Sequence, residues 1–339
     1  MEFLEHIPLA PHTTFQIGGP ARWFAEALTE SDILEAVEFA RVRDLPLFPL
    51  GGGSNLLVAD AGFSGVVLRI GLKGIEQRGD TFHVAAGENW DGFVSHVVER
   101  DFAGIECLAG IPGTVGGTPI QNVGAYGQEV SEAIVQVRAL DLSTLKFEEF
   151  LSADCGFSYR RSIFNTTERG KYIVTRASYR LRGGGAPKIA YADLKRHFQS
   201  SVAPSLCEVS NAVRAIRRGK GMYIVAGDPD CRSAGSFFKN PVVSAGHYAR
   251  IAGQEAGDVP HYPAADGTVK IPAAWLLERA GFHKGYALGE AGISTRHTLA
   301  LVNRGAAKAA DIFALRDRIL AEVESRFGIR LEPEPVLLG

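Results

Sequence analysis

The sequence predicts an α+β protein of two or three domains, built from short β-like runs and a few amphipathic helices. Three observations carry this. The chain has 339 residues, and a domain takes roughly 100–200. Hydrophobic residues make up 46% and charged residues 22%, the balance of an ordinary packed core, which excludes bulk disorder. The 39 glycines gather in a few loops, where backbone geometry matters most.

The elements follow in order. Ala21 to Ala27 reads as extended. Thr29 or Ser31 caps a helix carrying Ile33, Leu34, Val37 and Ala40 at helical spacing, with Asp32 in its first turn. Leu45 to Leu50 is an apolar run whose two prolines place it at a strand start or edge. It opens into Gly51-Gly52-Gly53-Ser54-Asn55, and Leu56-Leu57-Val58 resumes a strand. Residues 65–70 and 81–86 are β-like. A helix from Trp90 to about Arg100 presents Phe93, Val94, Val97 and Val98. Residues 107–127 form a long glycine-rich loop. Strands return at 134–142 and 172–181, and Arg182-Gly183-Gly184-Gly185-Ala186-Pro187 reads as a linker. Helices are expected at 207–218 and 272–281. The clearest is 309–327, where Ile312, Leu315, Ile319, Val323 and Phe327 step by three or four and Gly328 sits at the C-cap. It has no good N-cap residue, although Asp311 suits its first turn.

Composition also excludes function classes. A net charge of −2 leaves no overall basic footprint for nucleic acid. Cys107, Cys155, Cys207 and Cys231 are spaced by 48, 52 and 24 residues, which fits no zinc pattern. The nine histidines include no His-Glu-x-x-His pair, so no metal site is expected. The first residues lack a signal peptide's pattern, and no apolar run is long enough to span a membrane. A cytoplasmic protein without a membrane partner is expected.

Two loops carry the candidate chemistry. In Gly51-Gly52-Gly53-Ser54-Asn55, consecutive glycines let backbone N–H groups face one point and make an anion nest suited to a pyrophosphate. A plain tight turn is the other reading. The loop is neither a Walker A motif nor a Gly-x-Gly-x-x-Gly fingerprint. Residues 104–127 hold seven glycines and two prolines in 24 positions, so no regular helix or central strand forms there. Interspersed apolar residues argue for burial, and buried irregular backbone needs polar partners. A large polar ligand would supply them, as would a packed structural loop. Arg214 to Lys220 contains four basic residues in seven, with Arg217 or Lys220 able to meet a phosphate or to line a solvated helix face.

Taken together, Leu50 to Asn55, Ile111-Pro112-Gly113-Thr114-Val115-Gly116-Gly117, Gln121-Asn122-Val123-Gly124-Ala125-Tyr126-Gly127, Gly156 to Phe164, Ala234 to Pro241 and Leu331 to Glu334 resemble, in order, the UDP-N-acetylenolpyruvoylglucosamine reductase family. The likeness spans about residues 17–339. Tyr191, in Ala190-Tyr191-Ala192-Asp193-Leu194, resembles the substrate-loop tyrosine of the longer type I branch. The resemblance implies a p-cresol methylhydroxylase-type FAD-binding fold over 17–184, with subdomains at about 1–70 and 71–184. A substrate-binding α+β domain at 215–325 and a tail, 326–339, returning to the FAD side would follow. It implies non-covalent FAD against Gly51, Gly52, Gly53, Ser54 and Asn55, and against Ile111, Pro112, Gly113, Thr114, Gly116 and Gly117. Gln121, Asn122, Gly124 and Ala125 complete that expected set.

The family reaction reduces the enolpyruvyl double bond of UDP-N-acetylglucosamine enolpyruvate with electrons from NADPH. Hydride reaches the β-carbon through the flavin, negative charge moves to the α-carbon and carboxylate, and an acid protonates the α-carbon. The resemblance assigns Ser236 as that acid. A hydroxyl is a weak acid, so positioning must outweigh acidity. It assigns Arg160 to the carboxylate, where a guanidinium grips with two parallel N–H bonds. It assigns Glu334, and not Glu332, to the enolic oxygen; beside an enolate a protonated glutamate fits and a carboxylate does not. Read without the family, these are a loop serine, a surface arginine and a glutamate in a Pro-rich tail. Tyr159, Tyr191, Lys220 and Asn240 are the expected substrate contacts. Arg161 stands where the family pattern has an acidic residue, and Pro335 where it has a β-branched one. The stretch from Lys220 to Ser236 is about four residues longer than the pattern. No second phosphate signature exists for NADPH, so donor and sugar nucleotide are expected to use one cavity in turn. The chain is expected to act as a monomer. Two rivals remain: another FAD-dependent oxidoreductase of this fold, and a non-catalytic nucleotide-sugar regulator.

Overall fold

A computed structural model describes residues 1–199 and 203–339. Two units emerge, and the chain passes between them more than once. Residues 1–7, 21–53 and 63–219 form the first, and residues 8–20, 54–62 and 220–339 the second.

In the first unit, strands Pro20–Ala27, Phe63–Ile70 and Leu47–Leu50 run parallel. Helix α1 (Glu30–Val42) lies between two of them in sequence. Thr29 caps it: its hydroxyl accepts the Asp32 N–H, and the Asp32 carboxylate accepts the Thr29 N–H. This settles the choice between Thr29 and Ser31. Ile33, Ala36 and Val37 of α1 share a core with Leu68 and Ile70, and Ala40 is buried as well. Of the stripe expected from spacing, Leu34 is only half-buried, and Ala36 takes a buried place instead. A second, antiparallel sheet has the order Phe147–Leu151, Ile134–Asp141, Tyr172–Arg180, Thr81–Ala85, Ile75–Arg78. Helix α2 (Trp90–Val98) starts at the Asn89 side chain, which accepts the Gly92 N–H. It buries Trp90, Phe93, Val94, Val97 and Val98 and ends two residues before the expected Arg100. The expected linker at 182–187 is partly structured: Arg182–Gly183 pairs antiparallel with Phe102–Ala103. Helices α3 (Ala192–His197) and α4 (Leu206–Gly219) close the unit.

In the second unit, α5 (Ala245–Gln254) and α6 (Ala273–Arg279) precede α7 (Ala309–Phe327). The five α7 residues named from spacing are all buried, and they share one core with Phe15, Ile17, Leu57, Phe237 and Phe238. Gly328 ends α7 with φ +64°, the left-handed cap expected of it. The N-cap absent from the local sequence is supplied from far away. Asp60 accepts the N–H groups of Ala309 at 2.8 Å and Ala310 at 3.0 Å, and its charge suits the positive end of the helix. The tail strand Val336–Leu338 runs parallel to Leu56–Val58. No helix among the described residues is long and apolar enough to cross a membrane.

Asp60 is the remote cap of α7, so Asp60→Ala should destabilise the protein by about 1 kcal/mol. Urea unfolding checks this, as a lowered midpoint with an unchanged slope.

Candidate active site

The strand Leu47–Leu50 runs directly into Gly51-Gly52-Gly53. Gly52 meets the second glycine-rich loop backbone to backbone, and Gly51 meets a side chain of that loop. A Cβ on Gly52 would lie 2.6 Å from the Gly113 Cα, and one on Gly51 would lie 2.7 Å from the Thr114 Oγ1. The 110–117 loop is stitched to the chain before α2. Trp90 N–H donates to Gly113 O, Val115 N–H to Glu88 O and Gly116 N–H to Ala86 O. A Cβ on Gly116 would lie 2.6 Å from that of Ala86. Ile111, Pro112, Gly113 and Thr114 are half-buried, whereas Gly117 has open space around it. Gly52 and Gly113 thus meet with no side chain between them, while the Thr114 hydroxyl borders Gly51. Closely apposed glycine backbones of this kind suit a pyrophosphate bound by N–H groups, and the residues fit FAD on this ground.

Three residues support the second loop and were not singled out for that duty from sequence. Asp91 accepts the Gly110 N–H at 2.7 Å and is paired with Arg214. Arg217 is 8% exposed, and its Nε donates to Gly110 O at 2.9 Å. Burial pulls its pKa down, while Tyr126 and Asp91 oppose this. Its four-residue spacing from Val213 and Val209, both buried, was the available signal: Arg217 continues the buried stripe of α4. Glu106, 1% exposed, accepts N–H groups from Gly104 and Lys188 and from the Gln128 side chain. It thereby fixes the chain that leads to Tyr191. Tyr191 is 45% exposed, with its ring edge-on to Tyr126 at 5.4 Å. The neighbouring Cys107 thiol is pushed up to about 12 by burial and by Glu106, which makes it a poor nucleophile.

Downstream, Gly124–Ala125 pairs with Gln128–Glu129 in a tight hairpin whose turn residues, Tyr126 and Gly127, both have positive φ. Gln121 is half-buried. Asn122 is buried, with φ +44°; its Nδ2 donates to Glu129 and to Ser158 O, and its Oδ1 accepts the Ser131 N–H. Its side-chain amide therefore serves the protein's own loops. Arg160 lies on the turn Ser158–Arg161, whose ends exchange two backbone hydrogen bonds. Its Nη2 donates to Gly124 O at 2.9 Å, and its guanidinium stands 5.3 Å from the Tyr159 ring. Its φ is +58°, a conformation that costs an L-residue roughly 1–2 kcal/mol. Strained residues of this kind persist where the surroundings over-determine them, and they cluster at active sites. Arg161 is exposed.

Ser236 and Glu334 lie in the second unit. Phe237 N–H donates to Leu299 O at 2.7 Å, and Phe237 O accepts the Glu334 N–H at 2.8 Å. Phe237 and Phe238 are fully buried, whereas Ser236 and Glu334 are both half-buried. The tail is thus laid beside the Ser236 segment, and Lys239 N–H to Glu332 O extends the pairing. Asn55 Nδ2 donates to Glu334 O at 3.2 Å, and Val336 N–H donates to Asn55 O. Ser54 O accepts a long bond from Thr14. In the extended 220–235 segment, Asp230 receives Thr295 and Arg296. Burial works against its ionisation, yet those donors outweigh it and hold its carboxyl below the usual range. Asn240 Oδ1 accepts the Ala273 N–H at the start of α6, a structural duty beside the ligand role expected of it. Lys220, directly after α4, is half-buried.

Across its whole length this chain is similar to curated reductases. It is 44% identical to the UDP-N-acetylenolpyruvoylglucosamine reductase of Thermobifida fusca, over 99% of this chain and 98% of that protein. The Streptomyces coelicolor protein of the same name is 44% identical, over 99% and 90%. The chain belongs to the UDP-N-acetylenolpyruvoylglucosamine reductase family. Residues 228–338 match the family's C-terminal domain, and residues 21–144 match an FAD binding domain. Among solved structures, the reductase of Thermus caldophilus superimposes with a TM-score of 0.69 at 26% identity, covering 100% of this chain and 98% of that one. The expected class, an α+β flavin fold followed by a C-terminal α+β domain, is the fold of this family member.

The strain at Arg160 has a measurable sign. Arg160→Gly should be more stable than Arg160→Ala by about 1 kcal/mol, because only glycine adopts positive φ freely. Thermal unfolding of the two variants side by side checks it.

Proposed function

We propose how this reductase uses its residues: Gly51 to Asn55 and Ile111 to Gly117 hold FAD, while Arg160, Ser236 and Glu334 act on the substrate. The activity is the FAD-dependent, NADPH-consuming reduction of UDP-N-acetylglucosamine enolpyruvate to UDP-N-acetylmuramate, a step of peptidoglycan precursor synthesis. When bound, FAD supplies the hydride relay from NADPH to the β-carbon of the enolpyruvyl double bond.

The chain's own groups handle the charge and the proton. Arg160 grips the substrate carboxylate, onto which negative charge moves as the double bond is reduced. Its guanidinium stays charged throughout, so the contact strengthens as that charge grows. Ser236 delivers its hydroxyl proton to the α-carbon, and the serine oxygen regains a proton from solvent. The double bond thereby gains one hydride and one proton. Glu334, protonated, donates a hydrogen bond to the enolic oxygen. The observation that carries this pairing is the Phe237 peptide, bonded on one side to Leu299 and on the other to Glu334. It keeps Ser236 and the tail glutamate in neighbouring strands of backbone.

Tyr159, Tyr191, Lys220 and Asn240 take the sugar nucleotide on this reading, and Gln121, Asn122, Gly124 and Ala125 support the cofactor end. One chain supplies every group, so a monomer suffices. A nucleotide sugar and NADPH are polyanions that do not cross a bilayer unaided, which points to the cytoplasm. A non-catalytic regulator would gain nothing from the strained backbone at Arg160.

Two measurements test these roles. Ser236→Ala should be reduced by NADPH at a near-normal rate, while reoxidation by the enolpyruvyl substrate slows by at least a hundred-fold, within the range that one proton donor supplies; equal reoxidation in variant and parent removes Ser236 from the mechanism. Gly52→Ala should fold but purify with little yellow colour, because its Cβ would drive the two glycine loops apart. A normal flavin spectrum in that variant would move the cofactor away from Gly51 to Asn55.

A further inference from the structure

We infer that Asn165 is a positioning residue for Arg160, holding the strained turn that presents the guanidinium. The inference rests on Arg160 being the group that receives the substrate carboxylate.

The turn Ser158–Arg161 has positive φ at Arg160 and not at Tyr159. That is the pattern of a type II turn, whose third residue is normally Gly or Asn. An arginine there must be held by its neighbours. Asn165 does this with both ends of its amide: Nδ2 donates to Arg160 O at 3.1 Å, and Oδ1 accepts the Ser162 N–H at 2.9 Å. It therefore bridges the peptide groups on either side of Arg161 and fixes the direction of the Arg160 carbonyl. Its anchor is firm. Ser162 is fully buried, its hydroxyl donates to Ile120 O at 2.6 Å, and it accepts the Phe164 N–H. The far end of the turn is tied by Asn122 to Ser158 O. With the backbone fixed on both sides, the Arg160 side chain reaches Gly124 O. Asn165 is half-buried and acts through Arg160, without touching substrate.

Asn165→Asp is the discriminating variant. It keeps the acceptor for Ser162 and removes the donor to Arg160 O. The holoenzyme, reduced anaerobically with NADPH, is mixed with UDP-N-acetylglucosamine enolpyruvate while the flavin band is followed. Reoxidation should slow about ten-fold, with reduction by NADPH changed less than two-fold. Arg160→Lys should slow reoxidation further, and Asn165→Asp added to it should do no additional harm, because the two residues act as one unit. Multiplying effects in the double variant overturn the inference, as does equal slowing of both half-reactions in Asn165→Asp. Normal reoxidation by Arg160→Lys overturns instead the assignment of Arg160 on which it rests. If Asn165→Asp does not fold, Asn165→Gln, with the same amide one methylene further out, is read in the same way.

Discussion

Gly52 and Gly113 leave no room between them for a single methyl group, and much of the first unit is arranged to keep it so. The 110–117 loop cannot hold this approach by itself, since glycine-rich backbone has more conformations to lose than any other. It is held from outside. The chain at 86–90 takes three of its backbone groups, and Asp91 and Arg217 take both polar groups of Gly110. Burying Arg217 is costly for a permanent charge. That cost is offset by its bond to Gly110 and by its neighbours Asp91 and Tyr126.

The second unit solves a different problem. Positions 236 and 334 lie almost a hundred residues apart, and local sequence cannot bring them together. Backbone pairing does it, through Phe237 and through the parallel strands Leu56–Val58 and Val336–Leu338. Backbone bonds are well suited to the task because they do not depend on the side chains that carry chemistry. Buried Phe237, Phe238 and Leu57 lock these segments into the core that α7 completes.

Much of this was legible in the chain. Thr29 with Asp32, the stripe of α7 and Gly328 name their own elements, because capping and periodicity are local. The two glycine loops announce themselves by composition. Other features leave weaker traces. Helix α5 hides behind Gly246 and Gly253, poor helix formers, although Ser244 caps it. Residues 182–187 read as a linker, yet two of them pair with Phe102–Ala103, since a glycine-rich run says only that the backbone is permissive.

What the sequence determined alone is therefore the set of local elements, the glycine loops and, through ordered motifs, the family with its chemistry. Tertiary structure decided which distant groups meet: Asp60 on the start of α7, Arg160 on Gly124 O, and Phe237 between Leu299 and Glu334. The reason is physical. Capping and hydrophobic period act over a few residues and leave a pattern in the chain. A backbone hydrogen bond between residues a hundred positions apart uses groups that nearly every residue carries, so no residue type marks it.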